Sequence, residues 1–281
     1  MSGTLQLPRP TWFVGCGNMG GAILDGWRAG GMDLTAVTVI RPSGNAVEGT
    51  RTVTSFADAG APPKIAVLAF KPQKLDEIAP ELRRFLSART TVVSLLAGVE
   101  AASLRQRFPG VGAIVRAMPN LPVAVRRGVT GLYNPDADQQ TDTQLNDLFS
   151  ALGFAMWMAD EAKLAALGSV AGAGPAYVAR FIDALAKAGE RGGLSPEIAG
   201  VIARETVLGT AWMAATAGED MASIAKRVAS PKGTTQAGLD VLDRENVLDE
   251  LIAVTIEAAA RRGAELAEEA RTKLAEEQPL P

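Results

Sequence analysis

VGCGNMGGAI, residues 14–23, decides the fold of this chain. It follows an apolar run, TWFV (11–14), and opens into a helical pattern. Gly15, Gly17 and Gly20 stand in G-x-G-x-x-G spacing between the two. In that context the first glycine permits a tight turn and the second lets the backbone approach a pyrophosphate. The third lets the helix pack on the strand. The helix N-terminus adds free N–H groups and a positive dipole. The pattern points to a bound dinucleotide, with Gly15, Cys16, Gly17, Asn18, Met19 and Gly20 as the cofactor loop. Cys16 reads as a small space-filler rather than a reactive thiol.

Outward from this loop, short β-rich runs alternate with helical ones. The strand candidates are 11–14, 36–40, 65–70, 91–96, 113–118, 129–133 and 154–158, with a short one near Val53. Most are unbroken apolar runs, as expected of strands buried on both faces of a parallel sheet. Strand–helix alternation predicts an α/β doubly wound, Rossmann-like domain over 1–159. From Asp160 onward the strands vanish, which predicts an all-helical domain over 160–281. Tyr177, Val178, Phe181, Ile182 and Leu185 share one helical face; Ile198, Val201, Ile202, Leu208 and Trp212 share another. A long final helix is expected from about Val247 to Ala275. This second half is short and its helices are apolar on more than one face, which points to a core shared between subunits.

The 281 residues are 47% hydrophobic, ample for a sizeable core. The net charge is −3 and no Lys/Arg stripe forms, so no nucleic-acid partner is expected. The single cysteine excludes an intramolecular disulfide and suits a reducing cytoplasm. No signal peptide and no membrane-spanning run is apparent. Histidine is absent. That removes Ser-His-Asp and Cys-His sites, imidazole-bound zinc, and dehydrogenases with a histidine acid. Any proton must come from another side chain or from water.

The end of the second strand bears on the choice of cofactor. NAD sites usually carry an acid there for the ribose 2′-OH. This strand ends VIRPSG (39–44), with Arg41 and Ser43 in the acid's place. A guanidinium pairs well with a 2′-phosphate, which favours NADP over NAD. The alternative for Arg41 is a solvated surface side chain.

SPKGTT, residues 230–235, interrupts the helical half. Pro, Gly and adjacent threonines are poor material for a helix interior. Backbone N–H groups of such a turn, with a following helix N-terminus, can nest an anion. Gly233 lets the backbone come close. A plain threonine N-cap is the competing reading.

Several segments, in order, resemble the pyrroline-5-carboxylate reductase family: FVGCGNMGGAI (13–23), LAFKPQ (68–73), SLLAGV (94–99), RAMPNLPVAVRRGVTGL (116–132), GAGPAYV (172–178) and SPKGTTQAGL (230–239). The resemblance covers nearly the whole chain. It implies an N-terminal Rossmann domain and a C-terminal helical dimerisation domain, in relatives often assembled as a ring of dimers. It implies hydride transfer from NADPH, or NADH, to the C=N carbon of Δ1-pyrroline-5-carboxylate, an imino acid, giving L-proline. Ala69, Lys71, Pro72 and Ala97 would line the cofactor site. Ser230, Gly233, Thr234 and Thr235 would form the substrate loop, with Thr235 on the ring nitrogen. Asn120 would face the same crevice, and Glu161 falls where relatives carry an acid beside the substrate.

The sequence also departs from the family. Lys232 stands where relatives have glycine, Ala173 where serine is common, and Lys226 and Arg227 where Asp/Glu and Asn are usual. These changes make the site more basic and leave a related cyclic imino acid as an alternative substrate. A β-hydroxyacid dehydrogenase shares the glycine opening but places a lysine one turn before an asparagine; here Lys163 is followed four residues later by Leu167. A non-catalytic NADP-binding regulatory protein is a further reading, opposed by the intact threonine loop.

Overall fold

The structure, a computed structural model, describes residues 5–136 and 139–277. Among the described residues, eight strands form one sheet: β1 Thr11–Val14, β2 Val37–Ile40, β3 Arg51–Val53, β4 Ile65–Leu68, β5 Thr91–Ser94, β6 Ala113–Pro119, β7 Gly128–Tyr133 and β8 Gly153–Trp157. Their order is β3-β2-β1-β4-β5-β6-β7-β8. The pairs from β3 to β6 are parallel. That is the doubly wound order, with its reversal between β1 and β4. β7 returns antiparallel to β6, and β8 pairs parallel to β7.

The apolar runs behave as strands covered on both faces. Along β1, Phe13 enters one core while Trp12 and Val14 enter the other. The first core adds Ile23, Leu24 and Trp27 of α1 (Asn18–Ala29) and Leu145, Leu148 and Phe149 of α4 (Gln139–Ser150). The second adds Leu75, Ala79 and Leu82 of α2 (Leu75–Leu82) and Leu104 of α3 (Ala101–Arg107). Burial of this apolar surface, at roughly 25 cal/mol per Å², is the main force holding the sheet and helices together.

Beyond β8 the chain is helical: α5 Glu161–Leu167, α6 Gly174–Arg191, α7 Pro196–Ala217, α8 Met221–Val228, α9 Thr234–Leu242 and α10 Val247–Glu277. The change of rhythm falls at Asp160, but the two compact units divide elsewhere. One comprises 1–173 with 259–281, and the other 174–258. Helix α5 stays with the sheet unit because Leu164 is fully buried against β7. A β-carbon on Gly131 would stand 2.9 Å from it.

In the second unit, Ser195 caps α7 by accepting from the Ile198 N–H, with Pro196 at the first helical position. Of residues 174–258 only Ala199, Ala203 and Ile224 are buried. Val178, Phe181 and Leu185 of α6 and Ile198, Val201, Ile202, Leu208 and Trp212 of α7 are exposed. Among the described residues no helix is long and apolar enough to cross a membrane.

Candidate functional site

A cavity of about 940 Å³ opens beyond the C-terminal ends of β1, β2, β4 and β5. Its lining brings together Gly15, Cys16, Gly17, Asn18, Met19, Gly20, Arg41, Ser43, Ala69, Lys71, Pro72 and Ala97. It also includes residues that sequence reasoning missed: Thr54, Ser55 and Phe56 after β3, Phe70 after β4, and Ile78 and Glu81 on α2. The short strand near Val53 was the available signal for the first three, since residues just past a strand end border such a crevice.

The three glycines have separate reasons. Gly15 sits at φ +78, and a β-carbon there would lie 2.8 Å from the Ala69 carbonyl oxygen. Its N–H donates to the Ile40 carbonyl at 2.8 Å, fixing the turn to β2. A β-carbon on Gly17 would find nothing within 4 Å, so the face above it is open. A β-carbon on Gly20 would meet the Ala69 side chain at 3.1 Å, which sets how closely α1 lies on β4. Gly17 is also the N-cap of α1 and supplies no side chain to its first N–H groups. Open space over uncapped N–H groups at the positive end of a twelve-residue helix fits a pyrophosphate.

Arg41 is half-buried at the end of β2, its N–H bonded to the Val53 carbonyl. Among the described residues no carboxylate pairs with its guanidinium. Burial pushes the Cys16 thiol above its ordinary value, and the charge of Arg41 works against that shift. The cavity residues thus suit a dinucleotide carrying an additional phosphate near Arg41 and Ser43.

The Ser230–Thr235 loop belongs to the helical unit. The Gly233 N–H donates to the Ser230 carbonyl at 2.9 Å, closing a turn with Pro231 second and Lys232 third. Lys232 adopts φ +61. A lysine there costs roughly 1 kcal/mol relative to glycine. The competing threonine-cap reading does not hold: Gly233 is the N-cap of α9, and no side chain caps the helix. Thr234 and Thr235 are exposed in its first turn. Of the nearby basic residues, Arg227 pairs with Glu219 at 3.1 Å. Lys226 lies near Asp220, whose carboxyl is held low first by the Ser223 N–H and hydroxyl and only lastly by that lysine.

Two residues expected at the substrate have other partners. Asn120, 6% exposed, accepts from the Val129 N–H at 2.8 Å and donates to the Ala171 carbonyl at 3.0 Å. Its amide joins β6 to β7 and to the segment after α5, and it does not line the cavity. Glu161 accepts from the Ala101 N–H at 2.8 Å and pairs with buried Arg116. Backbone groups thus engage both ends of the Asn120 amide, and a backbone N–H and a buried cation engage the Glu161 carboxylate. Lys163 pairs with Asp160 at 3.7 Å at the surface, and Leu167 stands where the β-hydroxyacid dehydrogenase arrangement has its asparagine.

A family model described as pyrroline-5-carboxylate reductase dimerisation matches residues 161–266. One described as NADP oxidoreductase coenzyme F420-dependent matches residues 12–98. The pyrroline-5-carboxylate reductase of Pseudomonas aeruginosa is 35% identical over 267 residues, covering 92% of this chain and 96% of that protein. The enzyme of the same name from Escherichia coli is 34% identical over 249 residues, covering 83% and 89%. Among solved structures, a pyrroline-5-carboxylate reductase from Coxiella burnetii superposes with a TM-score of 0.84 at 30% identity, covering 93% of this chain and 99% of that one.

Proposed function

The chain belongs to the pyrroline-5-carboxylate reductase family, and from that premise we propose that it reduces Δ1-pyrroline-5-carboxylate to L-proline with NADPH. The observation that carries the reading is the crevice at the strand-order reversal, floored by Gly15, Gly17 and Gly20 and flanked by Arg41. When bound there, the nicotinamide would supply the hydride. The α1 N-terminus holds the pyrophosphate, and Arg41 and Ser43 hold the 2′-phosphate. Lys71, Pro72 and Ala97 border the route toward the nicotinamide end.

The Ser230–Thr235 loop is the proposed substrate site. The uncapped first turn of α9 receives the carboxylate, with Thr234 beside it. The Thr235 hydroxyl orients the ring nitrogen. An imine protonated at nitrogen is already electrophilic, so positioning does most of the catalysis. The ring proton can enter from solvent, consistent with a chain without histidine. Asn120 and Glu161 act as supports rather than substrate ligands.

The helical unit is proposed to pair with that of a second copy. It buries almost nothing by itself, and its exposed apolar faces on α6 and α7 are what a two-subunit core requires. Closure into a ring of such dimers is an extension of the same reading. Light scattering after size exclusion should find at least a dimer at micromolar protein, and a monomer would remove this part.

Substrate identity is tested with a panel. NADPH oxidation is followed with Δ1-pyrroline-5-carboxylate and with six-membered cyclic imino acids, and NADP⁺ reduction is followed with β-hydroxy acids. The five-membered imine should give the highest kcat/KM. A higher value for a six-membered ring would show that Lys232 and its basic neighbours have shifted the preference.

A further inference from the structure

We propose that Glu161 is a positioning residue for cofactor binding, acting through the loop between β5 and α3. The inference rests on reading the cavity beyond the strand ends as the cofactor site. Leu95 and Ala97 of this loop line that cavity. Ala97 is exposed there, while Leu96 and Val99 on either side are anchored in the core at 2% and 1% exposure.

The loop leaves the sheet after Ser94, whose neighbour across the β5–β6 register is Arg116. It rejoins regular structure at Ala101, the first residue of α3. Glu100 stands at the N-cap and its side chain makes no capping bond. The cap comes instead from Glu161, whose Oε1 accepts the Ala101 N–H at 2.8 Å. The other carboxylate oxygen pairs with Arg116. Arg116 beside the start of the loop and Glu161 on its end therefore form one bridge across its two ends.

The loop has little slack to absorb a change in that bridge. Gly98 lies at φ +74, and a β-carbon there would stand 3.1 Å from backbone atoms of Leu266 and Ala267 in α10. Nor is the bridge explained by stability alone. Arg116 is 6% exposed, and among the described residues its Nε finds no partner. A buried ion pair with an unsatisfied donor is a poor source of folding energy compared with apolar packing. Its defined geometry suits a part that sets a distance.

The test compares two charge-balanced double variants, because a single change would strand a buried charge. Glu161→Ala with Arg116→Met removes both bridge and cap. Glu161→Gln with Arg116→Met removes the charges but keeps an oxygen for the Ala101 N–H. Circular dichroism and melting establish that each is folded. NADPH Kd is then read by fluorescence titration, alongside KM and kcat. The alanine double should weaken NADPH about ten-fold with KM for the imine changed less than about two-fold, and the glutamine double should recover most of the affinity. Unchanged Kd in the folded alanine double, with only a lower melting temperature, would overturn the proposal and leave the pair as a brace. A raised imine KM with unchanged NADPH Kd would overturn it in favour of a direct substrate contact. Wild-type protein that binds no NADPH would overturn the cavity reading, and this inference with it.

Discussion

Gly15 and Ala69 meet backbone to backbone: a β-carbon on Gly15 would stand 2.8 Å from the Ala69 carbonyl oxygen. The turn after β1 and the end of β4 are thereby fitted to each other before any ligand arrives. Gly15→Ala must push that carbonyl away and hold an unfavourable φ of +78, so it should cost about 1–3 kcal/mol of stability as well as NADPH affinity. Gly17→Ala meets nothing within 4 Å. It should melt within a few degrees of wild type and still bind NADPH poorly, because its methyl group occupies the approach to the α1 N–H groups. Melting curves and cofactor titrations on both variants check this. Equal melting losses would show that the two glycines do not divide the work in this way.

Arg41 should discriminate between the two nicotinamide cofactors. Arg41→Ala removes the cation expected at the 2′-phosphate, and NADPH affinity should fall by about 1.5–3 kcal/mol. NADH affinity should hardly move. Titration of the variant with each cofactor decides it, and equal losses would take the 2′-phosphate away from Arg41.

Cys16 is the sole thiol in the chain, and it lines the cavity. Burial raises its pKa, so little thiolate is present at neutral pH. Its reaction with a disulfide reagent should be slow at pH 7 and should still be accelerating as pH rises past the ordinary thiol range. Saturating NADP⁺ should slow it further by covering the loop. Stopped measurements of reagent release across pH, with and without NADP⁺, test both statements; a rate indifferent to NADP⁺ would place the cofactor elsewhere.

Thr235→Val keeps shape and β-branching while deleting one hydroxyl. NADPH Kd should be unchanged. If the hydroxyl bonds the imine nitrogen, kcat/KM should fall about ten- to several-hundred-fold, as for loss of a hydrogen bond to a charged group. Stability should stay near wild type, because Gly233 and not a threonine is the N-cap of α9. Normal kcat/KM would move the substrate nitrogen away from this loop.

Much of this was legible because local chemistry repeats the fold. β1 spans 11–14 as read, and the remaining strands lie within a residue or so of their expected starts. Two expected strands, 65–70 and 91–96, end early, at Leu68 and Ser94. The apolar residues that follow each belong to cavity walls or to the core rather than to the ladder, and an apolar run cannot say which. Asn120 and Glu161 were read from their neighbours in sequence, whereas their partners Ala171, Arg116 and Ala101 lie 45 or more residues away. The same limit hid Ile78 and Glu81, which only the topology brings to the crevice.

The most direct measurement follows a deuterium atom. Purified protein is given NADPH deuterated at the transferable C4 position together with Δ1-pyrroline-5-carboxylate, and the products are examined by NMR and mass spectrometry. NADPH consumed should equal proline formed, with the label on the ring carbon that had carried the C=N bond. Protein that binds NADPH yet forms no labelled proline from this imine would contradict the account.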